Sequence, residues 1–178
     1  MTTQPGAAMS TDLRVARLQR ERKVWHKNKP CGFKGAPVRC PDGTSDIGKW
    51  RVTIPGPPNT PWADGFYTAE LDFPAEYPLK PPNVKFDPPI QHPNVYANGA
   101  VCLTLINSSH WKADTSVLAI IKGLQLFLAE PNEKDPANWT IGQLYISDRA
   151  KYNSMVREYA AKTKSEAANK KKKKKKQK

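Results

Sequence analysis

Seven prolines between residues 74 and 93 restrict the fold of this chain more than any other sequence feature; they are Pro74, Pro78, Pro81, Pro82, Pro88, Pro89 and Pro93. Each proline fixes its own φ and lacks an amide hydrogen, so regular structure is excluded over much of residues 74–95. The stretch ends in His92-Pro93-Asn94, and a cysteine follows eight residues later. The chain is therefore expected to present one thiol, Cys102, after a long, rigid and irregular segment.

An amphipathic helix is expected upstream, from Asp12 to about Lys27, where neither Pro nor Gly occurs. Four of its residues recur at helical spacing and share one face: Val15, Leu18, Arg22 and Trp25. Strands are expected at residues 50–54, 66–73 and 83–86, because apolar and polar residues alternate there. Short strands joined by tight turns, such as the one at residues 41–44, predict an antiparallel meander.

Helices are expected after the cysteine. The run from Thr115 to Ala129 is apolar on most sides, which predicts a buried central helix. Pro136 is expected to open a short helix with Asp135 as its cap. A last helix is expected from about Ser147 to Lys162.

The positive charge of the chain is concentrated at its C-terminal end. Residues 162–178 contain ten Lys and one Glu, which accounts for +9 of the formal charge of +13. A lysine run cannot build a core of its own, and residues 1–11 are small and polar. We therefore expect a disordered N-terminus at 1–11, one core domain at 12–161 and a disordered lysine-rich tail at 162–178.

Cysteine usage and hydropathy exclude several classes of protein. Cys31, Cys40 and Cys102 are odd in number and widely spaced, without the spacing of a zinc site, which predicts free thiols in a reducing compartment. No apolar run approaches the length of a membrane span. The first residues lack the features of a signal peptide.

Three interpretations of the reactive features remain at this point. Cys102 can be a nucleophile that carries an acyl group, or a buried structural thiol. The run from Lys170 to Lys176 would suit a non-enzymatic scaffold that binds nucleic acid regardless of sequence. A papain-like protease is not supported, because its flanking signature and general base are missing.

The motifs around Cys102 resemble those of the ubiquitin-conjugating enzyme superfamily over about residues 12–160. The matching landmarks, in order, are Tyr77-Pro78-x-x-Pro81-Pro82, His92-Pro93-Asn94, Cys102-Leu103, Trp111 and Pro131-Asn132-x-x-Asp135-Pro136. The resemblance implies an α+β fold: an N-terminal helix, a four-stranded antiparallel meander, a Pro-rich active-site segment, then central and C-terminal helices.

Within the superfamily the chain is most similar to the SUMO-conjugating type. The supporting stretches include Gly32-Phe33, Pro41-Asp42-Gly43-Thr44, Thr60-Pro61-Trp62 and Asn94-Val95-Tyr96. This likeness implies an enzyme that accepts SUMO as a thioester on Cys102 from the SUMO-activating enzyme and transfers it to target lysines. It also implies no bound cofactor or metal, because ATP is consumed by the activating enzyme. A ubiquitin-conjugating enzyme is the alternative within the same fold.

The resemblance assigns roles to particular residues. The catalytic set it implies is Cys102, Asn94, Tyr96 and Asp135. Asn94 is expected to stabilise the oxyanion, Tyr96 and Asp135 to line the channel through which the target lysine enters, and Asp135 to orient the amine. The implied substrate-binding set is Lys85, Asn98 and Asn83. The surface for the activating enzyme and a second, non-covalent SUMO is implied at Arg22, Lys23, His26 and Lys29. His92 is expected to be structural, with its ring hydrogen-bonded to local backbone.

Departures from the SUMO type concern the choice of target. Asn83 occupies a position where a lysine is usual, Ala100 one where a threonine is usual, and Trp139 replaces a small residue on a substrate-facing helix. A weaker or altered preference for an acidic residue after the target lysine is therefore expected.

The expected partners are SUMO, its activating enzyme, SUMO ligases, target proteins and, through the tail, nucleic acid or an acidic protein. We expect a monomer without membrane association, in nucleus and cytoplasm.

Overall fold

The computed structural model describes the backbone of residues 5–176 and the side chains of residues 13–169. Its elements, in chain order, are α1 (Pro5–Asn28), β1 (Lys34–Arg39), β2 (Ser45–Pro55), β3 (Phe66–Asp72), β4 (Asn83–Phe86), a short 3-10 helix (Thr104–Ile106), α2 (Val117–Ala129), α3 (Trp139–Ser147) and α4 (Arg149–Lys176). The predicted α+β class and the order of its parts are confirmed.

The strands form one antiparallel meander in the order β1-β2-β3-β4. Trp50 pairs with Leu71 and Leu71 with Val84, and all three side chains point to the buried face. Because side chains alternate along a strand, the intervening residues form an outer face that is partly or fully exposed. β2 begins at Ser45 rather than Trp50, so the predicted start of this strand is wrong. β1 contains Pro37, which an edge strand tolerates.

Helix α2 belongs to the buried core, as predicted. Ser116 caps its start by accepting a hydrogen bond from the Ala119 amide. The buried carboxylate of Glu21, on α1, accepts from the Val117 amide at 2.9 Å and from Arg17 at 2.8 Å. A burial cost that would disfavour this carboxylate is therefore offset by two charge-assisted hydrogen bonds. The contact with Val117 joins two helices that are far apart in sequence.

The face of α1 that was predicted to hold Val15, Leu18, Arg22 and Trp25 is only partly buried. Leu18 and Trp25 are buried and Val15 is half-buried, but Arg22 is exposed. Its neighbour Glu21 is buried instead, and its carboxylate accepts a hydrogen bond from the Val117 amide of α2. The exposure of Arg22 leaves it accessible to a partner.

Three predicted helix boundaries are wrong. α1 begins at Pro5 rather than Asp12, because proline is compatible with a first helical turn. α4 continues to Lys176 rather than ending near Lys162, since alanine and lysine have high helix propensity. α3 begins at Trp139 and is capped by Asn138, not Asp135. Whether the end segments are disordered in solution stays a prediction, and residues 1–4 and 177–178 lie outside the described residues.

The described helices lack the combination of length and apolar character that is required to cross a membrane.

Candidate active site

The free edge of β4 carries the segment that leads to Cys102. The Val101 amide donates to the Val84 carbonyl at 3.1 Å, and the Phe86 amide donates to the Gly99 carbonyl at 2.8 Å. Residues 96–99 form a tight turn, in which the Gly99 amide donates to the Tyr96 carbonyl at 2.8 Å. The segment therefore extends the sheet in an irregular way and fixes the position of Cys102 relative to β4.

Gly99 is required at this turn for two reasons. Its φ is +87°, which residues with a side chain rarely adopt. A Cβ at this position would also collide with the Phe86 carbonyl oxygen. Glycine thus permits the close approach of this turn to β4.

Cys102 is exposed and lies beside an open pocket of about 270 Å³. Its amide donates to the Asn94 carbonyl at 2.9 Å, so the backbone at the thiol is fixed to the His92-Pro93-Asn94 motif. The residues lining the pocket are uncharged: Pro82, Asn83, Val84, Tyr96, Ala100, Val101, Cys102, Leu103, Ile106 and Asn107. The thiol is therefore reachable, and its surroundings are mostly apolar.

The side chain of Asn94 is buried and joins the cysteine segment to the loop before α3. Its amide nitrogen donates to the carbonyls of Asn132 at 2.8 Å and Asp135 at 3.1 Å, and its oxygen accepts from the Asn132 amide at 2.7 Å. Both amide hydrogens and the oxygen are therefore used within the protein. The predicted role in stabilising an oxyanion stays a prediction, and it would require one of the two donor contacts to be released.

His92 is buried and its ring is hydrogen-bonded to backbone, as predicted, although only one of the two partners is local. Its Nε2 lies 3.0 Å from the Phe127 carbonyl and its Nδ1 accepts from the Asn94 amide at 3.1 Å, which requires the neutral tautomer with hydrogen on Nε2. Burial lowers the pKa of His92 to about 3, against the opposing effect of the Phe127 carbonyl. Because both ring nitrogens are engaged, His92 cannot serve as the base for Cys102.

The structure brings some of the predicted residues together at the pocket and leaves others outside it. Tyr96 and Asn83 line the pocket with Cys102. Lys85 pairs with Ala100 across the strand edge, and the Asn98 side chain accepts from the Ala100 amide at 3.0 Å. Both Lys85 and Asn98 are exposed just beyond the lining.

Asp135 and the predicted partner surface on α1 lie elsewhere. The Asp135 side chain is exposed and does not line the pocket described here, although its carbonyl is held by Asn94. The residues predicted to meet the activating enzyme are all exposed, on α1 and the turn after it: Arg22, Lys23, His26 and Lys29. Their roles stay predictions.

The apolar wall of the pocket beside Cys102 was missed by sequence analysis. Pro82, Val101, Leu103 and Ile106 supply it, and Ile106 is the last residue of the 3-10 helix from Thr104 to Ile106. The three apolar residues Leu103, Leu105 and Ile106 after the cysteine were a usable signal, but apolar residues are equally typical of core packing.

An exposed thiol beside an apolar, uncharged pocket is suited to carrying an acyl group and presenting it to an incoming amine. The apolar surroundings favour the neutral amine, which is the form that attacks. The described histidines do not line the pocket, and His92 is occupied by backbone. The arrangement therefore lacks the cysteine–histidine pairing of a hydrolase.

This combination of fold, motif order and exposed cysteine defines a class. Residues 17–160 match the family model described as ubiquitin-conjugating enzyme, so the chain belongs to the ubiquitin-conjugating enzyme family. Two similar proteins are more particular. The SUMO-conjugating enzyme UBC9 of Caenorhabditis elegans is 40% identical over 157 residues, which cover 88% of this chain and 95% of that protein. The SUMO-conjugating enzyme SCE1 of Arabidopsis thaliana is 39% identical over 150 residues, 84% of this chain and 94% of that protein.

Proposed function

We propose that this chain is a SUMO-conjugating enzyme that accepts SUMO as a thioester on Cys102 and transfers it to lysine side chains of target proteins. The observation that carries the proposal is the exposed Cys102 thiol, fixed through its own amide to Asn94 and open to the pocket. The likeness to two SUMO-conjugating enzymes over most of their lengths supports SUMO rather than ubiquitin as the modifier.

The reaction has two balanced steps. In charging, the Cys102 thiolate attacks the thioester of the SUMO-activating enzyme, a new thioester forms on Cys102, and the activating enzyme's thiolate leaves. In transfer, the neutral amine of a target lysine attacks that carbonyl. The carbon–sulfur bond breaks, an isopeptide bond forms, Cys102 leaves as thiolate, and the proton lost by the amine nitrogen passes to solvent. ATP is consumed only by the activating enzyme, so no bound cofactor or metal is needed.

The transfer step depends on the target lysine losing its proton, since a lysine amine is protonated near pH 7. The apolar wall at Val101, Leu103 and Ile106 favours the neutral form by desolvation. Tyr96 and Asp135 orient the amine. Asp135 has this role rather than that of removing the proton, because a carboxylate alone would favour the charged form of the lysine. Asn94 acts in two ways: it supports the segment that carries Cys102 and, after exchanging one contact, donates to the oxyanion.

The partner surfaces are those that the family resemblance implies, and all of their residues are exposed. Arg22, Lys23, His26 and Lys29 receive the activating enzyme and a non-covalent SUMO, and the acceptor protein approaches over Asn83, Lys85 and Asn98. SUMO ligases assist transfer, and the monomeric enzyme acts in nucleus and cytoplasm. Association through basic residues should weaken as salt increases. The lysine-rich tail adds a contact to nucleic acid or an acidic protein.

The proposal is tested by charging with purified components. The protein is incubated with ATP and either the SUMO-activating enzyme and SUMO or the ubiquitin-activating enzyme and ubiquitin. We expect a thioester with SUMO and little with ubiquitin; charging with ubiquitin alone would contradict the proposal.

A truncation separates the enzyme from the scaffold interpretation. A variant ending at Lys164 keeps Thr163, whose hydroxyl accepts from the Phe66 amide at 3.0 Å, and loses the lysine run. It should charge as fast as the full chain. The scaffold interpretation predicts instead that removal of the lysine run abolishes the function of the chain.

A further inference from the structure

Four charged side chains form a strip on the outer face of the sheet, next to the pocket. Arg51 lies 2.7 Å from one oxygen of Glu70, and Lys85 lies 3.1 Å from the other. A second nitrogen of Arg51 lies 3.1 Å from Asp87. The strip contains two cations and two anions, so its net charge is zero.

The strip runs directly to the active-site segment. Arg51 pairs with Glu70 in the register of β2 and β3, Glu70 with Lys85 in that of β3 and β4, and Lys85 with Ala100 across the edge. Ala100 lines the pocket, as does Asn83, which lies two residues from Lys85 on the same face of β4. Two residues along a strand span about 7 Å. A target segment whose lysine reaches Cys102 would therefore pass close to Lys85.

The two lysines that flank the pocket wall, Lys80 and Lys85, each form an ion pair with a glutamate. Pro82 and Asn83 line the pocket, and the chain before them carries Lys80, which lies 2.9 Å from Glu76. Lys85, on the other side, is bound to Glu70. An acidic residue of a target would have to compete with the glutamate that already pairs with the lysine. The attraction of either lysine for such a residue is therefore reduced.

We infer that Glu70 is a specificity-determining residue: by binding Lys85 it suppresses a preference for acidic residues near the acceptor lysine of the target. The inference rests on the proposed function. Glu70 lies outside the pocket lining and acts only through Lys85, so it is a positioning residue with no part in bond making. The enzyme should accept lysines in neutral and acidic surroundings at similar rates.

The experiment measures transfer from preformed thioester to peptides. Each peptide carries one lysine and has Glu or Gln at one of the four positions on either side of it. For wild type we expect the ratio of kcat/KM for Glu to that for Gln to stay within about twofold at every position. In Glu70→Gln the ratio should rise about two- to fivefold at one position, through KM, because an exposed pair has this modest strength. High salt should abolish the rise.

Two further variants establish the cause. In Glu70→Gln with Lys85→Met, the ratio should return to the wild-type value, since the released cation is gone. Arg51→Gln removes a charge from the same strip but leaves Glu70 on Lys85, so it should not raise the ratio. An unchanged ratio in Glu70→Gln, or an equal rise in the double variant, would overturn the inference.

Failure of the inference and failure of the proposed function are distinguishable because charging is measured first. If wild type forms no thioester, the proposed function is wrong and the inference fails with it. If wild type charges normally and the ratio does not respond to Glu70, the inference alone is wrong.

Discussion

The active-site segment consists of two halves with opposite environments. Residues 92–95 are all buried, whereas residues 96–98 and Cys102 are exposed. The halves face each other across one narrow hairpin, joined by the Cys102–Asn94 hydrogen bond and the bridge between Val95 and Val101. The buried half has its polar groups satisfied inside the protein, and the exposed half would, under the proposed function, present Tyr96 and Cys102 to a reactant. We therefore expect substitutions in the buried half to lower the free energy of unfolding, and substitutions in the exposed half to affect transfer with little change in stability.

Asn94→Ala in the buried half is expected to have the largest effect on stability and on transfer to lysine together. It would leave the Asn132 amide and the carbonyls of Asn132 and Asp135 without this partner, which we expect to cost on the order of 2–4 kcal/mol of unfolding free energy. Charging should remain measurable, while transfer to lysine should slow by about a hundredfold. Urea unfolding and single-turnover transfer measure the two effects.

The matched control is Asn98→Ala in the exposed half, which should change stability by no more than about 0.5 kcal/mol. Equal stability of Asn94→Ala and wild type would contradict the structural role given to Asn94.

The turn that joins the halves can be tested with Gly99→Ala. Strain from the positive φ and collision with the Phe86 carbonyl should together cost about 2–3 kcal/mol in urea unfolding. Gly43 has a similar φ of +85°, but a Cβ there would meet nothing within 4 Å. Gly43→Ala should therefore cost only about 1 kcal/mol. If the two variants lose equal stability, the close approach to β4 is not what requires glycine at position 99.

The buried half should also make stability depend on pH through His92. The pKa of this histidine in the folded state, about 3, is lower than its value of about 6.5 in an unfolded chain. As pH falls, the unfolded state binds the proton before the folded state does. Protonation of His92 therefore does not lower the free energy of unfolding above about pH 6.5, but lowers it progressively below that pH. Between pH 7 and 5.5 we expect a loss on the order of 1 kcal/mol.

His92→Gln tests this prediction, since glutamine does not titrate. The variant is expected to be less stable overall but to show a flatter pH dependence over this interval. The same slope in both proteins would mean that another group is responsible.

The smallest effect on stability is expected from Tyr96→Ala in the exposed half. The ring lies at the pocket and is 49% exposed, so its removal should change unfolding free energy by about 0.5 kcal/mol or less. Transfer to lysine should slow by about tenfold or less, because the amine is less well oriented. Its buried neighbour provides the contrast: Val95→Ala should cost about 2 kcal/mol. A larger loss of stability in Tyr96→Ala than in Val95→Ala would contradict the division into halves.

Local patterns in the sequence were enough to predict most of the fold. The alternation in residues 50–54 and the apolar run of 115–129 identified a strand and a buried helix, since both signals depend on neighbouring residues. The family motifs then located the irregular segment and its cysteine. Contacts between distant residues could not be predicted in the same way.

The start of α3 illustrates that limit. Asp135 was the predicted cap, but Asn94 binds its carbonyl from forty-one residues away, and the helix begins only at Trp139 with Asn138 as cap. The burial of Glu21 likewise depends on the Val117 amide, ninety-six residues later. The pairing of Lys85 with Glu70 requires the register of two strands, which alternation alone does not give.

The central claim is that Cys102 carries the modifier, and one gel tests it most directly. Wild type, Cys102→Ala, Cys31→Ala and Cys40→Ala are each charged with SUMO, its activating enzyme and ATP, then run with and without thiol reductant. We predict a reductant-sensitive adduct in wild type and in the Cys31 and Cys40 variants, and none in Cys102→Ala. A reductant-sensitive adduct that persists in Cys102→Ala, or its absence from wild type under conditions where a known conjugating enzyme charges, would contradict the account.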